Sequence, residues 1–471
     1  MNEFGKWFRD VLINADIMDY RYPIKGCGVW LPYGFKLRRH VLQILRDLLD
    51  STGHEEVQFP LLIPEDSLAK EGKHVRSFED ECFWVTHGGL TPLKIRYALR
   101  PTSETAINPM LKLWIRSHRD LPVILYQIVN IFRYETKATR PLIRMREVST
   151  FKEAHTAHAT AEEAEKQVEK AVSVYKAFFD ALGVPYLISK RPEWDKFAGS
   201  EYSIAFDMLC PDGRTLQIGT VHNLGQNFSK AFDITFETKD GGHEYVWQTC
   251  YGISERAIAA VLITHGDDNG IVLPYHIAPI QVVIVPVLYK GTEEAVMAAA
   301  QQLNARFKEA GIRSKVDDRE DITPGAKFYY WERKGVPIRV EIGPKDLQSD
   351  EVTIVRRDTL ERSKCKLGEV IDFISKLGKR MYEDMRSKAW SWMLSRVYTV
   401  KSLDEAVKYI KNRAGVVQVS WCGKESCGKA IEEATDGTIL GTPLDLNGAI
   451  EGECVVCGEK SSQLVRVATA Y

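Results

Sequence analysis

Residues 131–156 read IFRYETKATRPLIRMREVSTFKEAHT, and this stretch sets the strongest local condition on the fold. An apolar run ends in Phe132-Arg133-Tyr134-Glu135, and a short loop carries Arg140 and Pro141. The chain then returns through Arg144-Met145-Arg146-Glu147 to Phe151-Lys152-Glu153-Ala154-His155. If the two runs pair as an antiparallel hairpin, the two-residue period places Arg133 and Glu135 on one face, and the return strand brings Arg144, Arg146 and Glu153 close to them. Guanidiniums spaced along a strand pair suit a polyphosphate, because each presents a planar fork of donors to oxyanions. Glu135 can hold one arginine in place or accept from an exocyclic amine. A solvated ribbon of alternating charge fits the same residues.

The chain has 471 residues, enough for about three domains of roughly 150 residues each. Its formal net charge is −1, so a nucleic-acid partner must be met by local basic patches rather than a global field. The start, MNEFGKWFRD, lacks the apolar centre of a signal peptide, and no run reaches the roughly 18 apolar residues of a membrane span. A cytoplasmic protein with no membrane partner is expected. Of nine cysteines, Cys27, Cys82, Cys210, Cys250 and Cys365 are scattered and four crowd into the tail. In a reducing compartment such crowding favours a metal over disulfides.

In chain order, an aromatic-rich N-terminal helix and the acidic Asp16 and Asp19 precede the glycine-punctuated turn 26–34. Leu37, Val41, Ile44, Leu45 and Leu48 then keep helical spacing, and Gly53 lies where a left-handed residue is wanted. A strand over 54–60 stops at Pro60. Residues 97–105 read as a strand turning into a helix at Pro101, with Thr102 and Ser103 as caps and Glu104 in the first turn. Capping alone explains them; Thr102 and Glu104 facing a ligand amine is the functional alternative. Thr160-Ala161-Glu162-Glu163 predicts a capping box, and the stripe Val168, Val172, Tyr175, Phe179 marks a core helix closed by Gly183. Strands are predicted over 202–208, 215–218 and 232–236. Between the last two, Gln217, Thr220, His222, Asn223 and two glycines form a polar cluster that could wall a substrate, although a lone histidine is usually structural. Arg256 heads the apolar helix 257–263, and burying it demands an anion, either an internal carboxylate or a bound phosphate.

A linker is expected over 272–279. Beyond it, alternating strands and helices imply an α/β domain with a mixed sheet, in which Arg339-Val340-Glu341-Ile342-Gly343-Pro344-Lys345-Asp346 places charges at a strand end. Residues 368–398 read as a tryptophan-rich helix, and 402–405 as a capping box opening a short one. The tail carries Cys422-x4-Cys427 and Cys454-x2-Cys457-Gly458. Two close thiolate pairs fit a tetrahedral structural zinc, against buried thiols with a chance CxxC.

Taken together, these stretches resemble class II aminoacyl-tRNA synthetases, most closely prolyl-tRNA synthetases of the archaeal and eukaryote-like type. Gly53–Pro60 resembles the first class motif, which builds the family's dimer interface. Arg133-x-Glu135 with Arg144-x-Arg146-Glu147 resembles the second, and Gly252-x-x-x-Arg256 the third. Residues 100–104 and 217–227 are similar to stretches that separate prolyl enzymes from their relatives. Two departures are Ser254-Glu255 before Arg256 and Phe151 where many prolyl enzymes have tryptophan. The long editing insertion of bacterial prolyl enzymes is missing between Glu153 and Gln217.

The resemblance covers essentially the whole chain. It implies an α+β class II catalytic domain, an antiparallel sheet flanked by helices, over 1–275. An α/β anticodon-binding domain over 276–380 and a small zinc-stabilised α+β domain over 381–471 would follow. It implies ATP with Mg²⁺, L-proline, tRNA(Pro), a structural Zn²⁺ and a homodimer. Arg133 and Arg256 would be catalytic. Arg133, Glu135, Arg144, Met145, Gln217, Thr220 and Arg256 would bind ATP. Thr102, Glu104, Arg133, Phe151, Glu153, His155 and His222 would surround proline. Glu341, Lys345 and Asp346 would meet the anticodon, and Cys422, Cys427, Cys454 and Cys457 would hold the metal. Tyr471 ends the chain as in related enzymes, where the terminal carboxylate folds back toward the active site.

Overall fold

The computed structural model describes residues 3–70, 81–446, 452–461 and 463–471. Strands β1 (Val123–Phe132) and β2 (Glu147–His158) pair antiparallel, from Val123 opposite Ala157 to Phe132 opposite Glu147. The ladder therefore stops before Arg133, short of the expected hairpin. The physical reason is competition for donors, since the Arg146 and Glu147 N–H groups go to the Gly26 carbonyl at 2.8 and 3.2 Å. The fourteen-residue connection turns at Pro141 and Leu142, the latter left-handed at φ 58°. Its ends stay tied by the Arg133 N–H donating to the Arg146 carbonyl at 2.8 Å.

Next to β2 lies β5 (Trp247–Ser254), then β4 (Arg214–Gly225) and β3 (Tyr202–Leu209), all antiparallel. The polar cluster expected between two strands is thus itself strand as far as Gly225. Where β4 passes β3, Phe206 faces Gly219 but Asp207 faces Gln217, so Ile218 is bulged. A bulge shifts the side-chain period by one residue. Leu216, Ile218 and Val221 consequently join the core, while Gln217, Thr220 and His222 share the opposite face.

Among the described residues the sheet has eleven strands. At the far edge beyond β1, only Glu55–Glu56 of the expected strand 54–60 pairs with it. The Phe59 N–H instead donates to Gln127 Oε1 at 2.9 Å, and Pro60 has no N–H to give. Beyond β3 come Leu187–Lys190 and then four strands from residues 397–470. The C-terminal region thus continues the catalytic sheet, through Thr442 opposite Lys190 and Pro443 opposite Ser189. Buried Arg466 locks the seam, donating to the Ile188 carbonyl at 3.0 Å and to Asp445 at 2.6 Å.

Helices Pro32–Asp50, α2 (Ala161–Ala181) and α3 (Arg256–His265) cover the apolar face. Thr160 accepts the Glu163 N–H at 3.2 Å, and Glu163 accepts the Ala159 N–H at 3.0 Å, a reciprocal cap set one residue earlier than the usual box. The stripe it aligns packs Tyr175 and Phe179 against Phe206. Phe178, Phe179 and Phe206 are fully buried, each contributing about 1.5–3 kcal/mol. The helix α1 (Glu104–Trp114) lies apart from these, with its buried positions Ile107 and Leu111 in a separate cluster.

The α/β domain forms as its alternation predicts. Strand Val282–Pro286 lies parallel to Ser314–Val316 and to Ile338–Ile342, and Glu351–Arg356 and Arg362–Lys366 extend the sheet antiparallel. Arg357 anchors it to the catalytic region by a fork on Asp267, both bonds 2.7 Å. No helix among the described residues is long and apolar enough to cross a membrane.

Candidate active site

The face of β2, β4 and β5 away from α2 floors a cleft of about 310 Å³. Cross-strand register fixes its floor in rows. His222, Cys250 and His155 form one row, and Thr220, Gly252, Glu153 and Gln127 the next. Ser254 faces Phe151 in the row beyond. A Cβ on Gly252 would come within 3.3 Å of the Phe151 ring, so glycine there lets the ring lie against the sheet.

At one end sits an acidic pocket. The Thr102 hydroxyl donates to Glu104, and the Ser103 hydroxyl donates to Glu153. Neither caps its own helix; Ser103 is the N-cap residue but makes no side-chain cap bond. Pro101 precedes the helix rather than occupying its first turn. Gln127 donates to Glu153 Oε1 at 2.9 Å, and His155 Nε2 lies 3.4 Å from Glu153 Oε2. Burial favours the neutral carboxyl at Glu153, but the bonds from His155, Ser103 and Gln127 outweigh it and hold its pKa below the ordinary range. Burial likewise opposes charge on His155, yet Glu153 and Glu104 draw its pKa up. His222 is pushed down to about 3, by burial first and then by His155 and Arg191. It is a neutral wall whose Nδ1 lies 2.7 Å from the Ser203 hydroxyl.

At the other end gather Arg133, Arg144 and Arg256, with Glu135 and Met145 beside them. Arg133 Nε donates to the Pro101 carbonyl at 3.1 Å. Arg256 Nε donates to the Ile143 carbonyl at 2.7 Å, and Nη1 to the Gln217 carbonyl at 3.2 Å. Burial, then repulsion from Arg133 and Arg144, lowers its pKa to about 10. Guanidiniums gathered at the end of a cleft are suited to a polyanion. Arg146 is not part of it. Its guanidinium stacks 4.1 Å from the Tyr134 ring and donates to the Glu135 carbonyl.

Three residues here have no role assigned by the sequence. Arg191 Nη2 donates to Asp207 at 2.8 Å and to Gln217 Oε1 at 3.0 Å, while Nη1 donates to the Leu440 carbonyl at 2.6 Å. It therefore ties a cleft-lining side chain to a C-terminal strand. In the sequence Cys250 is one of the scattered cysteines; only the strand register reveals it between two histidines. Glu255, legible only as the residue before Arg256, is buried and accepts from the Ser149 N–H at 3.1 Å and hydroxyl at 3.0 Å.

Burial raises the Glu255 pKa from 4.5 to about 7. A raised carboxyl stabilises the fold below its unfolded pKa and loses that contribution as pH rises to the folded one. Stability should therefore fall between pH 4.5 and 7 by about 3 kcal/mol from this group. In Glu255→Gln, denaturant titrations should lose that slope and show higher stability at pH 7.5. An unchanged pH profile would contradict the assignment.

The four tail cysteines converge, with all Sγ atoms within 4.8 Å of one another. Cys422 and Cys457 Sγ are 3.7 Å apart, against about 3.8 Å for two thiolates 2.3 Å from a tetrahedral zinc. Gly458 takes φ 72° after the second pair. Burial works against ionising Cys454, but N–H groups of Cys457, Val456 and Cys422 outweigh it and lower its pKa to about 6. The donor set fits a structural zinc.

At the strand end in the α/β domain, Glu341 is buried and bound by Arg339 at 3.0 Å and by Arg362 at 3.1 Å. Asp346 accepts the Gly343 N–H at 2.9 Å, and Lys345 is exposed. The Tyr471 hydroxyl donates to Asp212 at 2.7 Å, with the Arg140 guanidinium 4.8 Å from its ring. The last residue thus touches the connection that carries Arg144.

Residues 83–265 match the family model of the class II tRNA synthetase core domain (G, H, P, S and T). Residues 281–377 match the anticodon binding domain, and 403–471 the C-terminal domain of prolyl-tRNA synthetase. The chain is 53% identical over 469 residues to a proline--tRNA ligase of Methanopyrus kandleri, covering 100% of this chain and 96% of that one. It is 54% identical over 461 residues to that of Methanothermobacter thermautotrophicus, covering 98% and 94%. Among solved structures, Giardia lamblia prolyl-tRNA synthetase in complex with prolyl-adenylate superposes with a TM-score of 0.97 at 37% identity, covering 100% of this chain and 98% of that one. With a sheet, a cleft and three domain matches in the same order, the chain belongs to the prolyl-tRNA synthetase family of class II aminoacyl-tRNA synthetases.

Proposed function

We propose that the chain joins L-proline to tRNA(Pro) in two steps within this one cleft, using ATP as its magnesium complex. The observation that carries the reading is the continuity of a carboxylate-lined pocket with a three-arginine end. A cationic amine and a polyphosphate can then lie end to end. In the first step a proline carboxylate oxygen attacks the α-phosphorus, the bond to the β-phosphate oxygen breaks, and diphosphate leaves. In the second, a terminal ribose hydroxyl of the tRNA attacks the adenylate's carbonyl carbon and AMP leaves.

Such chemistry needs positioning and charge neutralisation more than a protein nucleophile. Arg133, whose Nε bonds the Pro101 carbonyl beside Thr102, holds the α-phosphate together with the proline carboxylate. Arg144 and Arg256 take the outer phosphates. Glu135 accepts from the adenine amine and Met145 lines the base, while Gln217 and Thr220 hold ribose or metal-linked oxygens. Glu104, aligned by Thr102, receives the secondary ammonium. Phe151, Glu153, His155 and His222 enclose the ring. Zn²⁺ on Cys422, Cys427, Cys454 and Cys457 cross-links the tail.

Copies pair as a homodimer through the neighbourhood of 53–60, where Leu61, Leu62, Leu113 and Trp114 are exposed apolar side chains. The anticodon is met at the strand end 341–346, with exposed Lys345 offering a positive charge. The protein acts in the cytoplasm. Incubating the full chain with labelled proline, ATP and tRNA(Pro) should give ATP-dependent label in tRNA; ATP turnover without charged tRNA would overturn the reading.

A further inference from the structure

Glu104, His155 and Cys250 lie together in the acidic pocket, with their donor atoms all within 4.8 Å of one another. They are 4%, 5% and 5% exposed. Register explains the meeting, since His155 and Cys250 are direct cross-strand partners on β2 and β5. Their side chains leave the sheet on the same face, beneath the first turn of α1. Recognition of an ammonium calls for the carboxylates and gives no task to a thiol, so Cys250 is left without a part in the proline chemistry.

Carboxylate oxygen, imidazole nitrogen and thiolate sulfur together form a donor set typical of zinc. Three protein donors with an open fourth position differ from the closed four-cysteine set in the tail. Donors up to 4.8 Å apart must draw in by as much as about 1.4 Å to reach tetrahedral separations of about 3.4 Å. Glu153 adds a second carboxylate beside His155, so the surroundings favour a cation. Magnesium, which prefers oxygen ligands and dehydrates reluctantly, is a poor match for a thiol and an imidazole.

We propose that a thiophilic divalent cation, zinc in the first instance, binds Glu104, His155 and Cys250 and excludes proline from the pocket. The Cys250 S–H proton leaves to solvent as the sulfur–metal bond forms, and no electron transfer is involved. Exclusion rests on the assignment of Glu104 to the proline ammonium, because one carboxylate cannot serve both cations. Proline activation would thereby be sensitive to free zinc.

The test is equilibrium dialysis of the full chain, its tail site loaded, against micromolar zinc. Two zinc ions per chain are expected, falling to one in Cys250→Ser and in Glu104→Gln, with circular dichroism confirming that each variant folds. Saturating proline should also return the wild type to one. In proline-dependent pyrophosphate exchange, the half-inhibitory zinc concentration should rise in proportion as proline is raised above its KM. A single zinc in the wild type, or a second that survives both substitutions, overturns the site. A second zinc that needs Cys250 and Glu104 but ignores proline upholds the site and removes Glu104 from proline recognition.

Discussion

Replacing Arg256 with alanine is expected to reduce proline-dependent ATP–pyrophosphate exchange at least a hundredfold, with the fold intact. Losing one pre-aimed donor at developing charge typically costs about 3 kcal/mol. Here the loss should reach or exceed that figure. Arg256 is held by two backbone carbonyls at 2.7 and 3.2 Å, and neither neutralises it. Burial and its neighbours Arg133 and Arg144 already disfavour its charge, so the free protein carries this guanidinium at a cost. The melting temperature of Arg256→Ala should therefore stay level or rise slightly while exchange collapses. Exchange within threefold of wild type would remove Arg256 from the phosphate site.

Glu104→Ala should act at the other end of the cleft, raising the KM for proline about a hundredfold or more while leaving the KM for ATP within a few-fold. Truncating one partner of a buried, hydrogen-bonded charge pair costs roughly 2–5 kcal/mol, mostly because the remaining charge is left unpaired. Glu104 is buried and aligned by the Thr102 hydroxyl, so water cannot readily replace it. Glu104→Gln, which keeps the shape and removes the charge, should show most of the same loss. If Gln restores the wild-type KM, the carboxylate is a helix-start residue and the ammonium is met elsewhere, with Glu153 the next candidate.

The two predictions use residues that the sequence exposed to very different degrees. Arg256 could be singled out because an arginine opening an apolar helix needs an anion, and the helix begins at that residue. Thr102, Ser103 and Glu104 looked equally well like a capped helix start. Only the tertiary pairing of Ser103 with Glu153 turns the cap hydroxyls toward the pocket. The hairpin was legible in outline but its end was not, because Gly26, more than a hundred residues away, takes the donors that would have extended it. The bulge at Ile218 was equally hidden. Alternation alone would have set Gln217 and Thr220 on opposite faces, and the shift against β3 unites them.

Long-range strand register is the common cause of what local reading missed. Arg191, which holds Gln217, reaches the Leu440 carbonyl across 249 residues of chain, and no spacing rule reports such a contact. The fusion of the C-terminal strands with the catalytic sheet was hidden for the same reason, although the four tail cysteines were found by spacing alone. Within each pair the spacing is local, which sequence encodes, while the pairs meet where the Val455 N–H donates to the Ser420 carbonyl at 3.1 Å.

Selectivity among amino acids tests the central claim, that this cleft forms prolyl-adenylate. Apolar contact around a side chain separates amino acids that differ by a methylene by only about 1–3 kcal/mol. Between β2 and β4 the chain places α2, Leu187–Lys190 and β3, and on the proposed reading rejection falls to the synthetic site itself. The measurement is ATP–pyrophosphate exchange by the full chain with each of the twenty amino acids in turn. Proline should give the highest kcat/KM, with alanine and cysteine weak but detectable. Higher kcat/KM with threonine, serine or glycine than with proline would contradict it.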